Sequence, residues 1–350
     1  MKITLYPVLQ KNKKRYKFLE SLVQSSKPIL LKIMDRILYT THIVSGVNNN
    51  IGKIAHSRFV PSSISEDIDK HFRTFNLYTF SYNSNTVNLT IHYSQAPDCM
   101  RAYLLVVKMF TLMELVNSRN ISIDLVFIPT TKKKLFKPGA TYIGNTVNSG
   151  MTYFLGGVST RIVIYREEEC MKVALHELCH FLHLDFGHER VHLKNAVSDI
   201  FSIQNDPDNI NIFEGYTETI ALLYNSIFNS ILTKKNIHDI LSAEIKYSID
   251  VASNILHSFN MEHILKSNNN NNKLHQKSNV VSYYFIKLGC ISSIDDFLRL
   301  FPLGTIWTPT RIQRFVDFSV QNLSNIQFTP GDNIQKSIRM TKYSLHIAHT

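Results

Sequence analysis

The stretch that decides the fold reads Val173-Ala174-Leu175-His176-Glu177-Leu178-Cys179-His180, an HExxH pentad in a run of helical character. At about 100° per residue, positions i and i+4 of a helix lie on one face. His176 and His180 can therefore bind one metal ion while Glu177 stands beside them as a base. The pentad predicts a zinc hydrolase with Glu177 as its catalytic residue.

A helix and several strands are predicted before the pentad. Residues 100–117 are apolar at helical spacing and predict a buried helix. Residues 121–130, 151–155 and 161–165 are predicted strands, bounded by proline and glycine turns. Three acids at 167–169 follow, where the positive end of a helix dipole favours them. The order predicts an α+β fold in which a small sheet packs on the pentad helix.

The strand at 161–165 comes directly before the pentad helix. We expect it to lie at the edge of the sheet, beside the metal. An exposed edge there could bind an extended peptide by strand addition.

A catalytic zinc site usually takes three protein ligands and keeps a fourth position for water. Glu214 lies some 34 residues after His180, at the start of a predicted helix over 213–231, and Glu218 is one turn later on the same face. Glu214 is therefore the favoured third ligand. Glu218 is expected to orient a ligand histidine through a hydrogen bond.

Other histidines after the pentad fit the metal less well. His183 shares the face of His176 but lies about 10.5 Å farther along the axis, which is too far for a shared ion. We expect it in the core or at the rim. His188 and His192 follow a glycine turn and remain alternatives as the third ligand. The longer pattern HExxHxxGxxH is absent, because its last two places hold His183 and Phe186.

A peptidase also needs a donor that stabilises the oxyanion. Tyr216 is a weak candidate, because two residues from Glu214 it points to the opposite helix face. Cys179 lies away from the metal and is expected to be a small core residue. The oxyanion donors that stay open are Tyr224, His188, His192 and Arg190.

This pattern resembles a family of HExxH proteins of large nucleocytoplasmic DNA viruses. The resemblance covers about residues 100–230. It implies a zincin-like catalytic core, a viral protein and zinc metallopeptidase activity, although the family has no established substrate. The segments that carry the resemblance are Arg161 to Phe186, Val147 to Thr152, Ile128 to Lys133 and Glu214 to Glu218.

The resemblance also implies a gluzincin-like site on His176, Glu177, His180 and Glu214, with one Zn²⁺. This chain departs from the family pattern in having Cys170 in place of a large aromatic residue. It also has His183 where a smaller residue is common. Neither departure removes a metal ligand or the base.

Length and composition suggest one elaborate domain or two, because 350 residues with 44% hydrophobic content can bury a sizeable core. The predicted regions are an N-terminal α+β region of unknown role at 1–98, the catalytic core at 99–235 and a helical region at 236–350. The last contains an asparagine-rich surface loop at 266–279. Further predicted elements are helices over 27–44, 280–288, 294–300 and 309–322 and strands over 75–82 and 87–92.

Compartment and partners follow from charge and cysteine usage. The chain has no apolar segment of signal-peptide length or of the about 18 residues that span a membrane, so we expect a protein that is neither secreted nor membrane-spanning. Four scattered cysteines favour reduced thiols, as in host cytoplasm or a virion. A net charge of +11 favours acidic partners, including nucleic acid, beside the polypeptide substrate.

Two other functions compete with the peptidase. One is a viral structural or assembly protein with a non-catalytic zinc site, although such a site has no use for Glu177 and is normally closed by four ligands. The other is a basic nucleic-acid-associated protein, which predicts salt-sensitive binding that survives removal of zinc.

Overall fold

The computed structural model describes residues 16–40, 46–47, 57, 60–94, 98–135, 138, 142–143, 147–155, 158–187, 199–204, 211–266, 272–329 and 338–343. Its helices are α1 (Lys17–Arg36), α2 (Ser62–His71), α3 (Cys99–Leu115), α4 (Cys170–Phe181), α5 (Ile212–Thr233), α6 (Ile237–Ser258), a π-helix (Val281–Ile286), α7 (Lys287–Ile291), α8 (Ile294–Leu300) and α9 (Pro309–Ser324). Its strands are β1 (Leu38–Thr40), β2 (Gly46–Val47), β3 (Thr74–Tyr82), β4 (Asn85–Tyr93), β5 (Ser122–Phe127), β6 (Tyr142–Ile143), β7 (Gly150–Leu155), β8 (Val158–Ile164), β9 (Ile203–Gln204) and β10 (Leu274–Lys277). The α+β fold predicted from the sequence is confirmed.

Within the described residues the main sheet has seven strands in the order β1-β3-β4-β5-β8-β7, with β2 also paired to β3. Strands β3 and β4 form an antiparallel hairpin that turns at Asn83, whose φ of 51° suits asparagine. Strands β4, β5 and β8 are parallel, and α3 connects the first two. Strand β7 runs antiparallel to β8 and closes this side of the sheet.

Alternating side chains of the sheet supply two cores. Ile123 and Leu125 of β5 face the larger core together with α3, α4 and α5. Val126 and Val163 face the opposite side, where Ile64 of α2 covers them. This alternation is the two-residue period of a strand, so the central strands are buried on both faces.

Helix α4, which carries the pentad, lies inside the larger core and packs on α5, α3 and strands β7 and β8. Glycine at position 150 allows the close approach of β7. A Cβ there would lie 2.7 Å from Val173 Cγ1 and 3.0 Å from the Val163 carbonyl oxygen. Any side chain at this position would push β7 away from α4.

Most of the predicted elements are confirmed within a few residues. Periodicity identified the strands at 75–82, 87–92, 121–130, 151–155 and 161–165 and the helices at 100–117, 213–231, 294–300 and 309–322. Helix α2 was not predicted, and α6 was predicted only as part of the helical region at 236–350.

The helix predicted over 27–44 is wrong at both ends. Helix α1 spans Lys17–Arg36 and contains Pro28 in its interior. Proline is most common in the first turn of a helix, so Pro28 favours a helix start near residue 27, which is later than the observed start. It ends at Ile37, whose extended backbone leads Leu38 into pairing with Ser81 of β3. Pairing with the sheet therefore outweighs helical periodicity beyond this point.

The strand before the pentad helix is not at the edge, contrary to our expectation. Strand β8 lies between β5 and β7, and β7 is the edge strand. The reason is the β7–β8 hairpin, which returns the chain into the sheet before α4 begins.

The acids at 167–169 do not cap the pentad helix through their side chains. Glu169 occupies the cap position without a side-chain hydrogen bond to the helix. Its carboxylate instead accepts hydrogen bonds from Lys134 Nζ and from the Met340 backbone N–H. Glu168 accepts from the Lys134 backbone N–H, and Glu167 pairs with Arg101. A buried lysine, an arginine and backbone N–H groups outside α4 therefore hold these carboxylates in place of the helix end.

The segment 266–279 is not a surface loop throughout. Strand β10 lies within it, pairs in parallel with β6 and β9, and buries Leu274 and Gln276. Apolar burial and pairing therefore place Leu274–Lys277 in a strand, while 267–271, with most of the asparagine run, lie outside the described residues. The helix predicted over 280–288 exists, but Val281–Ile286 within it form the π-helix.

The three predicted regions share one structure. Strand β4 of the first region pairs with β5 of the second, and one core runs from Leu19 to Met340. The division at residues 98 and 235 stays a prediction. None of the helices in the described part of the chain has the length and apolar character needed to cross a bilayer.

Lys108 is a buried cation in the core between α3 and α5. Its Nζ donates to Asn225 Oδ1 (2.8 Å) and Asn229 Oδ1 (2.7 Å), both neutral acceptors. Burial without a carboxylate in contact lowers the pKa of Lys108 to about 7.

This burial predicts a pH-dependent stability. Between pH 7 and 10 the unfolded chain holds more protons on Lys108 than the folded chain does, so the free energy of unfolding rises with pH, by up to about 1.4 kcal/mol per unit. Lys108→Met should remove this part of the slope in urea denaturation measured from pH 6.5 to 10. Lys246→Met, at an exposed position, should leave the slope as in wild type. An unchanged slope in Lys108→Met would contradict the prediction.

Candidate metal centre

Three predicted ligands meet at one point between α4 and α5. His176 and His180 lie one turn apart on α4, and Glu214 lies in the first turn of α5. The two Nε2 atoms are 3.0 Å apart, and Glu214 Oε2 is 3.1 Å from that of His176 and 3.4 Å from that of His180. The three residues form a group able to hold a metal ion.

These distances suit zinc. Zinc bonds nitrogen and oxygen ligands at about 2.05 Å, and a tetrahedron with such bonds separates its ligand atoms by roughly 3.3 Å. The observed separations of 3.0 to 3.4 Å bracket this value. No other residue in the described part of the chain joins this group, so a zinc ion held by the triad would keep a fourth position for water.

Each ligand histidine is held through its other ring nitrogen. His176 Nδ1 lies 3.0 Å from Glu218 Oε2, and His180 Nδ1 lies 2.5 Å from Asp185 Oδ2. Ionised carboxylates only accept hydrogen bonds, so both Nδ1 atoms carry the protons. The Nε2 lone pairs of both rings therefore face each other and Glu214.

The donor set fits a cation. Among the described residues, Glu214 Oε2 is buried without a hydrogen-bond donor, although two imidazole nitrogens are close to it. Three lone pairs converging in a buried place repel one another unless a positive charge lies between them. This arrangement of two imidazoles and one carboxylate is typical of catalytic zinc.

The turn after α4 brings Asp185 to His180. His183 has a left-handed φ of 53°, and the Leu184 and His183 backbone N–H groups donate to the carbonyls of Cys179 and His180. This is the Schellman end of a helix, at which glycine is more usual. The reversal places Asp185 back over the helix end, where it also accepts from the Gly187 backbone N–H at 2.8 Å.

Charge interactions shift the titration of the triad strongly. Burial lowers the pKa of His180, but Glu214 and Asp185 outweigh it and raise that pKa well above its usual value. The pKa of His176 is also raised, because Glu214 and Glu218 outweigh its burial. The pKa of Glu214 is far below its usual range, since the two imidazoles outweigh the effect of burial. The pocket thus favours positive charge at the centre of the triad.

Glu177 is buried beside the triad but is not part of it. Thr152 of the edge strand β7 donates its hydroxyl to Glu177 Oε2 at 2.8 Å. Burial raises the pKa of Glu177 above its usual value. Thr152 therefore fixes the carboxylate beside the triad, where Glu177 lines the same cleft.

A buried ion pair supports the triad from behind. Lys172 Nζ donates to both carboxylate oxygens of Glu218, at 2.7 and 2.8 Å. Lys172 is one turn before His176 on α4, so the pair joins α4 to α5 behind the metal position. It compensates the charge of Glu218, which would otherwise be costly to bury.

The triad lies in a cleft of about 440 Å³. Residues of α4, β7 and α5 line it. Tyr283 of the π-helix also lines the cleft, and its ring meets that of His176 edge to face at 6.0 Å between centroids. Phe154 and Gly187 are exposed at one end.

The remaining sequence candidates lie elsewhere. His183 is exposed beside Phe154 at the cleft rim, whereas Cys179 is fully buried in the core as expected. Tyr216 donates to the Pro302 carbonyl oxygen in an aromatic cluster, away from the triad. Tyr224, which sequence reasoning left open as an oxyanion donor, is buried beside Phe228 and does not line the cleft. His188, Arg190 and His192 lie outside the described residues.

Sequence reasoning missed Asp185, Thr152, Lys172 and Tyr283. Asp185 follows the predicted helix end by a few residues, which is a signal for a carboxylate that returns to the last turn. A lysine within the apolar face of the pentad helix also signals a buried partner. The other two have no comparable signal, because β7 and the π-helix approach the site only through tertiary packing.

Metal binding should depend on the carboxylates in a graded way. Asp185→Asn removes the charge that holds His180 and should lower zinc affinity about 10- to 100-fold in a chelator competition titration. Glu214→Ala removes a ligand and should lower it further. Glu262→Gln, which alters an exposed glutamate, should bind zinc as the wild type does. Unchanged zinc binding in Glu214→Ala would transfer the third-ligand role to His188 or His192.

Comparisons with known proteins connect this chain with a large DNA virus but identify no activity. It is 27% identical over 200 residues to an uncharacterised protein of Acanthamoeba polyphaga mimivirus, an alignment that covers 53% of this chain and 49% of that protein. The chain thus spans about half the length of this relative. No protein-family model matches the sequence, and no solved structure matches it.

Proposed function

We propose that this protein is a zinc-dependent metallopeptidase with a zincin-like core. The observation that carries the proposal is the convergence of His176, His180 and Glu214 on one site, to which no other described residue adds a fourth ligand, beside the buried carboxylate of Glu177. Catalytic zinc sites combine these two features, whereas structural sites are closed by four protein ligands. The similarity to a mimivirus protein supports a viral origin, with action in host cytoplasm or the virion.

The residues of the chain divide the reaction between them. Zinc held by the triad would acidify water and polarise a peptide carbonyl. Glu177 accepts the proton of the attacking water and returns it to the leaving amine. Thr152 keeps that carboxylate in place. Glu218 and Asp185 accept hydrogen bonds from the imidazoles and keep them directed at the metal position.

The edge strand is suited to bind the peptide. Strand β7 pairs with β8 and, within the described residues, has no strand on its other side. Thr152 and Phe154 of this strand line the cleft. An extended peptide added to this edge would lie across the cleft with its backbone near the triad. We therefore propose that the peptide adds to β7 and not to the strand predicted over 161–165.

Tyr283 is our candidate for stabilising the oxyanion. It is buried, lines the cleft and lies beside the ring of His176. Burial raises its pKa well above the usual value, so the phenol keeps its proton and can donate a hydrogen bond. A phenol that keeps its proton and lines the same cleft as the triad can supply the hydrogen bond that a developing oxyanion needs.

Mutation of the base tests the proposal. Glu177→Gln should retain zinc, because the ligands are untouched, and should lose at least about 1,000-fold in cleavage, because the proton acceptor is gone. Both proteins would be loaded with zinc, their metal content measured, and their cleavage compared on a proteome-derived peptide library by mass spectrometry. Glu262→Gln, which is exposed, serves as the matched control.

The outcomes separate the competing functions. The peptidase is supported if wild type and Glu177→Gln both bind zinc, while only wild type and Glu262→Gln cleave peptides. Indistinguishable digests from wild type and Glu177→Gln would exclude it and favour a non-catalytic zinc site. Salt-sensitive binding of DNA or RNA that survives zinc removal would instead favour the nucleic-acid alternative suggested by the net charge of +11.

A further inference from the structure

The cleft continues past the triad into a closed recess. Its exposed end is at Phe154 and Gly187, beyond His180. In the other direction it follows α4 back from His176 toward Lys172 and the start of the helix. The lining residues at that end are buried, namely Lys134, Val147, Ser149, Lys172, Val173 and Met340, except Asn148, which is half-buried. The cleft is therefore open at the Phe154 end and, among the described residues, closed by mostly buried side chains at the other, which we call the blind end.

Residues 338–343 close the blind end. This segment is far along the chain from α4, yet Ile338, Met340 and Thr341 are almost fully buried. The Ile338 backbone N–H donates to the Lys134 carbonyl oxygen at 3.1 Å. Thr341 donates its hydroxyl to Glu244 Oε1 at 2.6 Å. The segment is thus bound on both sides of Met340.

Buried charges hold the backbone of Met340 itself. Its N–H donates to Glu169 Oε2 at 2.8 Å, and its carbonyl oxygen accepts from Lys287 Nζ at 3.0 Å. Hydrogen bonds to charged groups are stronger than those between neutral groups. Because both contacts involve the backbone, substitution of the side chain leaves them in place.

The side chain of Met340 reaches the structure behind the metal position. Its Sδ lies 3.5 Å from Lys172 Nζ, which pairs with Glu218, the carboxylate that holds His176. Met340 is only 4% exposed, yet it lines the cleft. The side chain therefore forms a surface of the recess close to the triad.

The chemistry of the recess favours an uncharged occupant. Both ammonium groups have carboxylate partners, Lys172 in Glu218 and Lys134 in Glu169. The Ser149 hydroxyl also donates to Glu169, at 3.3 Å. A charged side chain entering here would lose its hydration without gaining an unpaired partner. Val147, Val173 and Met340 offer apolar surface to an apolar side chain.

We propose that Met340 is a specificity-determining residue, forming the floor of a blind subsite that takes an apolar, uncharged side chain of the peptide next to the scissile bond. This inference rests on the proposed peptidase function and names its substrate class. Methionine is flexible, so the floor adapts to branched side chains of intermediate size. The volume of the Met340 side chain limits the length of the substrate side chain that the subsite accepts.

Substitution of Met340 tests the subsite in both directions. Met340→Ala deepens the recess and should shift the preferred side chain from Leu or Met toward Phe, with a change of about 10-fold or more in relative kcat/KM. Met340→Phe fills it and should shift the preference toward Ala or Val by a similar factor. Met340→Leu conserves the volume and should keep the wild-type order.

The measurement needs two readouts on the zinc-loaded, full-length protein. The first is the side-chain preference on both sides of the cleaved bond in a peptide library. The second is the affinity for peptide hydroxamates that differ in one side chain, Ala, Leu, Phe or Asp, so that binding is read without turnover. Met261→Ala, which removes a buried methionine outside the cleft lining, controls for a general loss of packing.

Each outcome decides between the two proposals. If wild type cleaves but Met340→Ala and Met340→Phe keep its order of preference, the subsite is wrong and the peptidase stands. If wild type prefers Asp or Glu, Lys134 and Lys172 bind an acidic side chain of the substrate in the recess, and the apolar subsite is wrong. If zinc-loaded wild type neither cleaves peptides nor binds any hydroxamate, both proposals fall.

Discussion

Two hydrogen bonds between histidine and carboxylate organise the centre of this protein. Glu218 and Asp185 accept from the Nδ1 atoms of His176 and His180 and so direct the two Nε2 lone pairs at one point. Glu214 adds a third electron pair there. Without the two carboxylates the imidazoles could rotate or exchange tautomers, and the three donors would no longer converge. The geometry of the triad therefore depends on groups that do not belong to it.

Buried charge extends this constraint across the fold. Glu218 needs Lys172, and Glu169 needs Lys134 and the Met340 backbone N–H. Removing one partner from a buried ion pair typically costs about 3–5 kcal/mol, because the other charge is left without compensation. The start of α4, the middle of α5 and residues 338–343 are consequently tied together by electrostatics as well as by apolar packing. The same ties close the blind end of the cleft.

Local patterns predicted much of the fold and most of the triad. The two-residue period of β3, β4, β5 and β8 and the helical period of α3 and α5 are visible in the sequence, because each element buries one stripe of side chains or is apolar throughout. Prediction failed where tertiary pairing competes with local preference. Leu38 pairs with the sheet instead of extending α1. Strand β10 follows the asparagine run and pairs with β6 and β9.

The sequence by itself determined the ligand types and their spacing. Positions i and i+4 share a face on any helix, so His176 and His180 lie on one face of α4, and Glu214 and Glu218 lie on one face of α5. Only the tertiary structure decided which groups surround them. Asp185 depends on the left-handed turn at His183, Thr152 on β7 being the edge strand, and Met340 on a segment far along the chain. Spacing along one helix is a local property of the backbone. Contacts between elements depend on how a whole core packs, which no local pattern encodes.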